Sequence, residues 1–260
     1  MDAVKRTHRC AIEAPRYASR QPGTDARPPG ARAFTLLELL IVVALIAILT
    51  AILVIPALGS RMRGNETSTV AALRTICTQQ ENFRSQAVVD QDSNGLGEFG
   101  LLGELAGVTV PRREGAAVPI SPRAIDSLFK TDANGFAARY GFYIQVYLPT
   151  DDAGGAGNDR DLGGDAGTPG PILTNAAGIT QQQYAWCAYA WPIGENTGDR
   201  VFFIDHSGVL YQTRGDAKAY LGTTSVPAAN AAYGGQAFAA TPAGLEGSTG
   251  SDGNIWTVVQ

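Results

Sequence analysis

Residues 39–58 (LLIVVALIAILTAILVIPAL) form a run of twenty residues without a charge. As an α-helix rising about 1.5 Å per residue, such a run is about 30 Å long, the thickness of the hydrocarbon core of a bilayer. A membrane-spanning helix is therefore expected, with Pro56 near its far end, where a kink is tolerated. The surrounding charges orient it. Residues 1–33 hold seven basic residues (Lys5, Arg6, Arg9, Arg16, Arg20, Arg27 and Arg32) against three acidic ones. Residues 34–260 hold thirteen basic and twenty-one acidic residues. Lys and Arg stay on the cytoplasmic side of a membrane helix, so residues 1–33 are expected inside and the acidic body outside. A cleaved secretory signal is a poorer fit. Its apolar core is about 7–15 residues long and is followed by a small-residue cleavage site. Residues 52–59 supply no clean site of that kind.

The residues in front of the run carry the most information. Glu38 directly precedes the twenty uncharged residues, and Phe34-Thr35-Leu36-Leu37 stands before it. A carboxylate at the edge of a bilayer is costly and calls for a positive partner. The stretch Ala33-Phe34-Thr35-Leu36-Leu37-Glu38-Leu39-Leu40-Ile41-Val42-Val43 resembles the type IV pilin and pseudopilin family. The resemblance implies that a prepilin peptidase cuts between Ala33 and Phe34 on the cytoplasmic side and methylates the new amino terminus of Phe34. It also implies that Glu38 pairs with that amine on a neighbouring subunit and so sets the register of assembly. The family prefers glycine before the cut, where this chain has Ala33. The partners implied are identical or related pilin subunits, the prepilin peptidase, the inner membrane, and the assembly platform and motor proteins of a pilus or type II secretion system.

Behind the apolar run, Val70, Leu73, Ile76, Cys77, Phe83 and Ala87 recur at roughly helical spacing, with Thr, Gln, Glu and Arg on the opposite positions. The spacing predicts an amphipathic helix over 60–89 that continues the membrane or filament-core helix of 34–59. Residues 90–260 read as a globular α+β head with Gly/Asp-rich loops. A short helix is expected at 101–105, loop with room for a further short helix at 107–127, and loop at 151–171. Residues 140–148 and 183–191 have strand composition. Residues 201–204 and 209–212 flank Asp205-His206-Ser207-Gly208 as a hairpin. Residues 222–254, rich in Ala, Gly, Thr and Ser, are expected to wrap the surface, and 255–259 to return as an edge strand.

The formal net charge of −4 argues against a nucleic-acid partner. Two histidines are too few for a multi-histidine metal centre. No G-x-S-x-G, H-E-x-x-H or P-loop sequence is present, and no catalytic residue is assigned. Asp205, His206 and Ser207 are the residue types of a hydrolytic triad, but consecutive residues in a turn point in different directions. Asp90-Gln91-Asp92-Ser93-Asn94-Gly95 matches the start of a calcium loop, which makes Asp90, Asp92 and Asn94 the calcium candidates. The twelfth position is Leu101 instead of an acid, so a solvated turn is the favoured reading and no cofactor is assigned. Cys10 would leave with the leader. Cys77 lies on the apolar helix face and Cys187 in a strand expected to pack on it. A disulfide between Cys77 and Cys187 and a pair of buried thiols both fit.

The expected fold class is α+β: a long N-terminal helix, transmembrane in its first half and amphipathic in its second, packed on a small antiparallel sheet. With the family resemblance, the expected function is structural and not enzymatic. The chain would be a subunit of a type IV pilus or type II secretion pseudopilus. It would cross the inner membrane once, with its N-terminus cytoplasmic and its head periplasmic, before joining a filament. The alternative is a membrane-anchored periplasmic binding module that does not polymerise.

Overall fold

A computed structural model describes residues 34–164, 170–213, 220–238 and 249–259, the side chains of 52–58 excepted. The leader 1–33, with Ala33 and Cys10, lies outside the described residues. So do 165–169 of the 151–171 loop and 239–248 of the Ala/Gly-rich segment. The chain divides into two units, Met1–Thr50 and Ala51–Gln260.

The described part of the first unit is the start of α1 (Leu36–Ser85). Its large apolar side chains are exposed at nearly every position, from Leu36 at 81% to Val42 at 48%. A helix that is apolar all round needs lipid or other helices to cover it. Thr50 adds no unsatisfied hydroxyl, because its Oγ1 donates to the Ile46 carbonyl one turn back. Among the described residues, no helix is long and apolar enough to cross a membrane. The described apolar side chains stop at Ala51, so the second part of the expected span lies beyond them.

The second unit is built on an antiparallel sheet. Its strands are β1 (Ala137–Arg139), β2 (Phe142–Pro149), β3 (Ala156–Gly157), β4 (Cys187–Pro192), β5 (Phe202–Asp205), β6 (Leu210–Thr213) and β7 (Trp256–Val258). The order is β1-β2-β4-β5-β6-β7, with β3 pairing on β2. Tyr140 and Gly141 make the β1–β2 turn at φ 52° and 77°, so the strand expected from 140 begins at Phe142. Gly208, at φ 75°, helps close the expected β5–β6 hairpin. The last strand returns to the edge beside β6 as expected.

Both faces of the sheet are buried. Leu73, Ile76 and Phe83 of α1 pack in one cluster with Ile144, Val146, Trp186, Ala188, Phe202 and Ile204. Tyr189, Trp191, Phe203 and Tyr211 point the other way and are covered by Ala229, Tyr233 and Trp256. Full burial of each large side chain contributes about 1.5–3 kcal/mol, so the second layer is a core in its own right. The segment expected to wrap the surface thus supplies one wall of that core. Leu73, Ile76 and Phe83 hold the positions that the helical spacing assigned, whereas Ala87 lies past the helix end at φ 46°.

Two further elements depart from the sequence expectation. Residues 183–186 precede β4 instead of belonging to it. They follow α4 (Ala176–Gln182), a helix capped by the Asn175 side chain, which accepts from the Ala177 and Gly178 amides. The 151–171 loop contains β3 and α3 (Asp159–Leu162), the latter capped by Asn158. The short helix after the first one is α2 (Leu102–Leu105), close to its expected place.

Candidate assembly site and polar centres of the head

The start of α1 is a reciprocal cap. The Glu38 amide donates to Thr35 Oγ1 at 3.1 Å, while Glu38 Oε2 accepts from the Thr35 amide and hydroxyl, each at 3.2 Å. This is the S/T-x-x-E capping box, which satisfies two of the amides that every helix start leaves without partners. The T-x-x-E spacing stands in the sequence, where the family resemblance drew attention only to an expected pairing of Glu38. The cap places the carboxylate at the positive end of the helix dipole. Phe34, immediately before it, is 79% exposed. A carboxylate fixed one turn into a helix, beside an exposed aromatic and a fully apolar helix face, can receive a cation from another molecule. Residues 29–54 match the family model described as the prokaryotic N-terminal methylation motif. The chain carries this motif. The methylation motif is the signature of type IV pilins and pseudopilins, and it indicates a processed, structural protein. It is typical of membrane-anchored pilins that assemble into filaments, and it implies processing by prepilin peptidase. Neither a curated protein nor a solved structure matches the chain.

Outside the methylation motif, the calcium candidates are rearranged. Asp90, Asp92 and Glu98 bring one carboxylate oxygen each within 4.8 Å of one another. Asn94 is used differently. Its Nδ2 donates to Asp92 Oδ2 at 2.8 Å, and its Oδ1 accepts from the Leu96 amide at 2.7 Å. Glu98 is buried, and burial pushes its carboxyl up to about 7 against the opposing pull of the Gln91 amide, which donates to it. Sequence reasoning looked for the acid at the twelfth loop position and passed over this one at the ninth. Three carboxylates are hard oxygen donors of the kind that suits a divalent cation.

A second polar centre is fully buried. Arg112 Nε donates to Glu104 Oε1 at 3.0 Å, NH1 to Gln182 Oε1 at 2.6 Å, and NH2 to the Phe99 carbonyl at 2.8 Å. Glu104 also accepts from the Arg112 amide at 2.7 Å and the Leu101 amide at 2.9 Å. Gln182 donates onward to the Pro149 carbonyl at 2.7 Å, which ties α4 to β2. Close by, Asp159 accepts from the Leu102 and Gly103 amides at 3.1 and 2.7 Å. Burial pushes its carboxyl up to about 7, and the Glu104 carboxylate adds to the shift. No sequence motif marks this centre, because its members are 33 to 70 residues apart where they join separate elements.

Of the two arrangements that fit the sequence, a bridge and a pair of thiols, the structure has the thiols. Cys77 and Cys187 are both free. Strand alternation is the reason: Trp186, Ala188 and Ala190 take the face toward α1, so Cys187 falls among the aromatics on the opposite face. Cys77 packs on the helix side. Burial raises the pKa of both thiols, so both are protonated and unreactive at neutral pH. At the β5–β6 turn, Ser207 donates its amide and hydroxyl to Asp205, while His206 is exposed. The three residues form a turn and not a triad.

Proposed function

We propose that this chain is a filament subunit of a type IV pilus or type II secretion pseudopilus. In this reading it is cut between Ala33 and Phe34, methylated on Phe34, and assembled through the start of α1. One observation carries the reading: the methylation motif matched at 29–54 covers the start of α1, where the large apolar side chains described between Leu36 and Leu49 are exposed. Such a helix is stable in lipid before assembly and among like helices afterwards. Moving it from one to the other releases little hydrophobic energy, because lipid is as apolar as a helix bundle. Assembly therefore needs a motor and a specific polar contact. Glu38 supplies that contact by accepting the Phe34 amine of an adjacent subunit. At about 4 Å and an effective dielectric near 20, the pair is worth about 4 kcal/mol before desolvation. A subunit out of register leaves both charges unpaired.

The test is intact-mass analysis of the chain from cells with and without active prepilin peptidase, with blotting of membrane and sheared-filament fractions. The expected result is a chain beginning with N-methylated Phe34 and present in the sheared fraction. Ala33→Gly should speed processing. Retention of residues 1–33 with the peptidase active refutes the processing step. A processed chain that never leaves the membrane fraction refutes polymerisation and favours the anchored binding module.

A further inference from the structure

We propose that a groove on the head, centred on Arg139, receives a carboxylate side chain from the head of a second copy of this chain. The inference rests on the filament reading for the identity of the partner. The groove has a volume of about 390 Å³. One wall is the exposed, small-residue side of α1 at Ala71 and Thr75, and the other is Phe129, Arg139 and Tyr140.

Arg139 is held there without a partner for its charge. Its guanidinium carbon lies 5.3 Å from the centre of the Phe129 ring and 4.9 Å from that of Tyr140. NH2 donates to the Tyr140 hydroxyl at 3.2 Å. Nε is buried and has no hydrogen-bond partner. Among the described residues Arg139 forms no ion pair. The carboxylate that does line the groove, Asp126, accepts from the Leu128 amide at 3.0 Å and so caps the short helical turn Ser127–Phe129. Tyr140 reaches the guanidinium from a left-handed backbone, φ 52°, which a residue with a side chain rarely adopts.

The chemistry selects the ligand. A planar guanidinium held over aromatic rings matches the two oxygens of a carboxylate, and its charge, without an ion pair among the described residues, favours such a ligand over an apolar one. Charge complementarity selects the partner. Residues 34–260 carry twenty-one acidic against thirteen basic residues, so the surface of another copy offers carboxylates in excess. The groove wall is also part of α1, the helix that begins at the methylation motif.

The experiment places a photo-crosslinking phenylalanine analogue at Thr75 in the full-length chain, expressed with its assembly machinery. Illumination should give an adduct of twice the chain mass, mapping to an acidic segment of the second copy. Arg139→Glu should reduce the adduct at least tenfold. Arg139→Lys, which keeps the charge but loses the planar fork, should reduce it partly. Arg139→Gln guards against a folding defect: with an unchanged melting temperature it should also lose the adduct. An adduct unaffected by Arg139→Glu, one formed only with another protein, or none at all overturns the proposal. The filament reading is scored separately, from the Phe34 terminus and the sheared fraction, so either can fail alone.

Discussion

Replacing Arg112 by alanine should cost the head more stability than any surface change. Glu104 and Arg112 are fully buried, so the substitution leaves a carboxylate without its counter-ion away from water. Breaking a buried pair in this way costs about 3–5 kcal/mol. The Phe99 carbonyl loses the NH2 donor that satisfies it, which adds about 1 kcal/mol or more. Glu104 retains the Leu101 and Arg112 amides as donors, which holds the total near 5 kcal/mol instead of the full desolvation cost of a charge. In a head of this size, each kcal/mol moves the melting temperature by about 2–4 °C, so a fall of about 10–20 °C is expected. The measurement is thermal and denaturant unfolding of the full-length chain in detergent, followed by circular dichroism. The charge is the cause if Arg112→Met combined with Glu104→Gln is more stable than Arg112→Ala alone. A loss below about 2 kcal/mol, or a double variant no better than the single one, would falsify the reasoning.

Burial raises the Asp159 and Glu98 carboxyls to about 7, so the folded head binds more protons than the unfolded chain between about pH 4 and 7. Stability therefore falls as pH rises through that window, by up to about 4 kcal/mol for Asp159, and the melting temperature should be higher at pH 5 than at pH 8. Asp159→Asn should flatten the profile, and an unchanged slope in that variant counts against the assignment. Cys77 and Cys187 should both be alkylated after unfolding without reductant, whereas Cys187 should resist alkylation in the native head. A chain that takes up no label after unfolding is bridged, contrary to the structure. Glu38→Gln can still form the capping box but carries no charge, so it should leave membrane insertion intact and block filament incorporation. Thr35→Ala should cost about 1 kcal/mol of helix stability through loss of the cap. Wild-type incorporation of Glu38→Gln would show that the cap, and not the pairing, is the role of Glu38.

The sequence made the elements with strong local signals legible. Leu73, Ile76 and Phe83 could be placed on one buried face because helical periodicity is set by the chain itself. The β5–β6 hairpin was legible because Asp205 and Gly208 are turn chemistry between two apolar runs. Strand β4 shows the limit of this reasoning. Its composition identified a strand, but Trp186 through Trp191 is apolar at successive positions, and alternation gives no direction when both faces are buried. A shift of one residue exchanges the faces, so the sequence leaves open which side Cys187 takes. The second core was hidden for a related reason. Ala229, Ala231 and Ala232 look like surface filler until the aromatics of β4 and β5 are known to lie beneath them.

The polar centres depend even more on the fold. Glu98, Glu104, Arg112, Asp159 and Gln182 each look like ordinary surface residues in sequence. Their burial follows only when α2, α4 and the 151–171 loop close over one another. What they share is the bracing of segments without long regular structure. Arg112 links α2 to α4, Gln182 links α4 to β2, and Asp159 caps the start of α2. A head with loops this long otherwise loses much of its stability to chain entropy. Buried charge is a costly brace, because it holds only while every partner is present. The start of α1 follows the opposite logic. Among the described residues its apolar side chains up to Leu49 are exposed, and the Glu38 carboxylate is held in an exposed local cap. The head is satisfied internally through buried polar contacts. In the filament reading, the helix start keeps both its apolar faces and its charge for a neighbour.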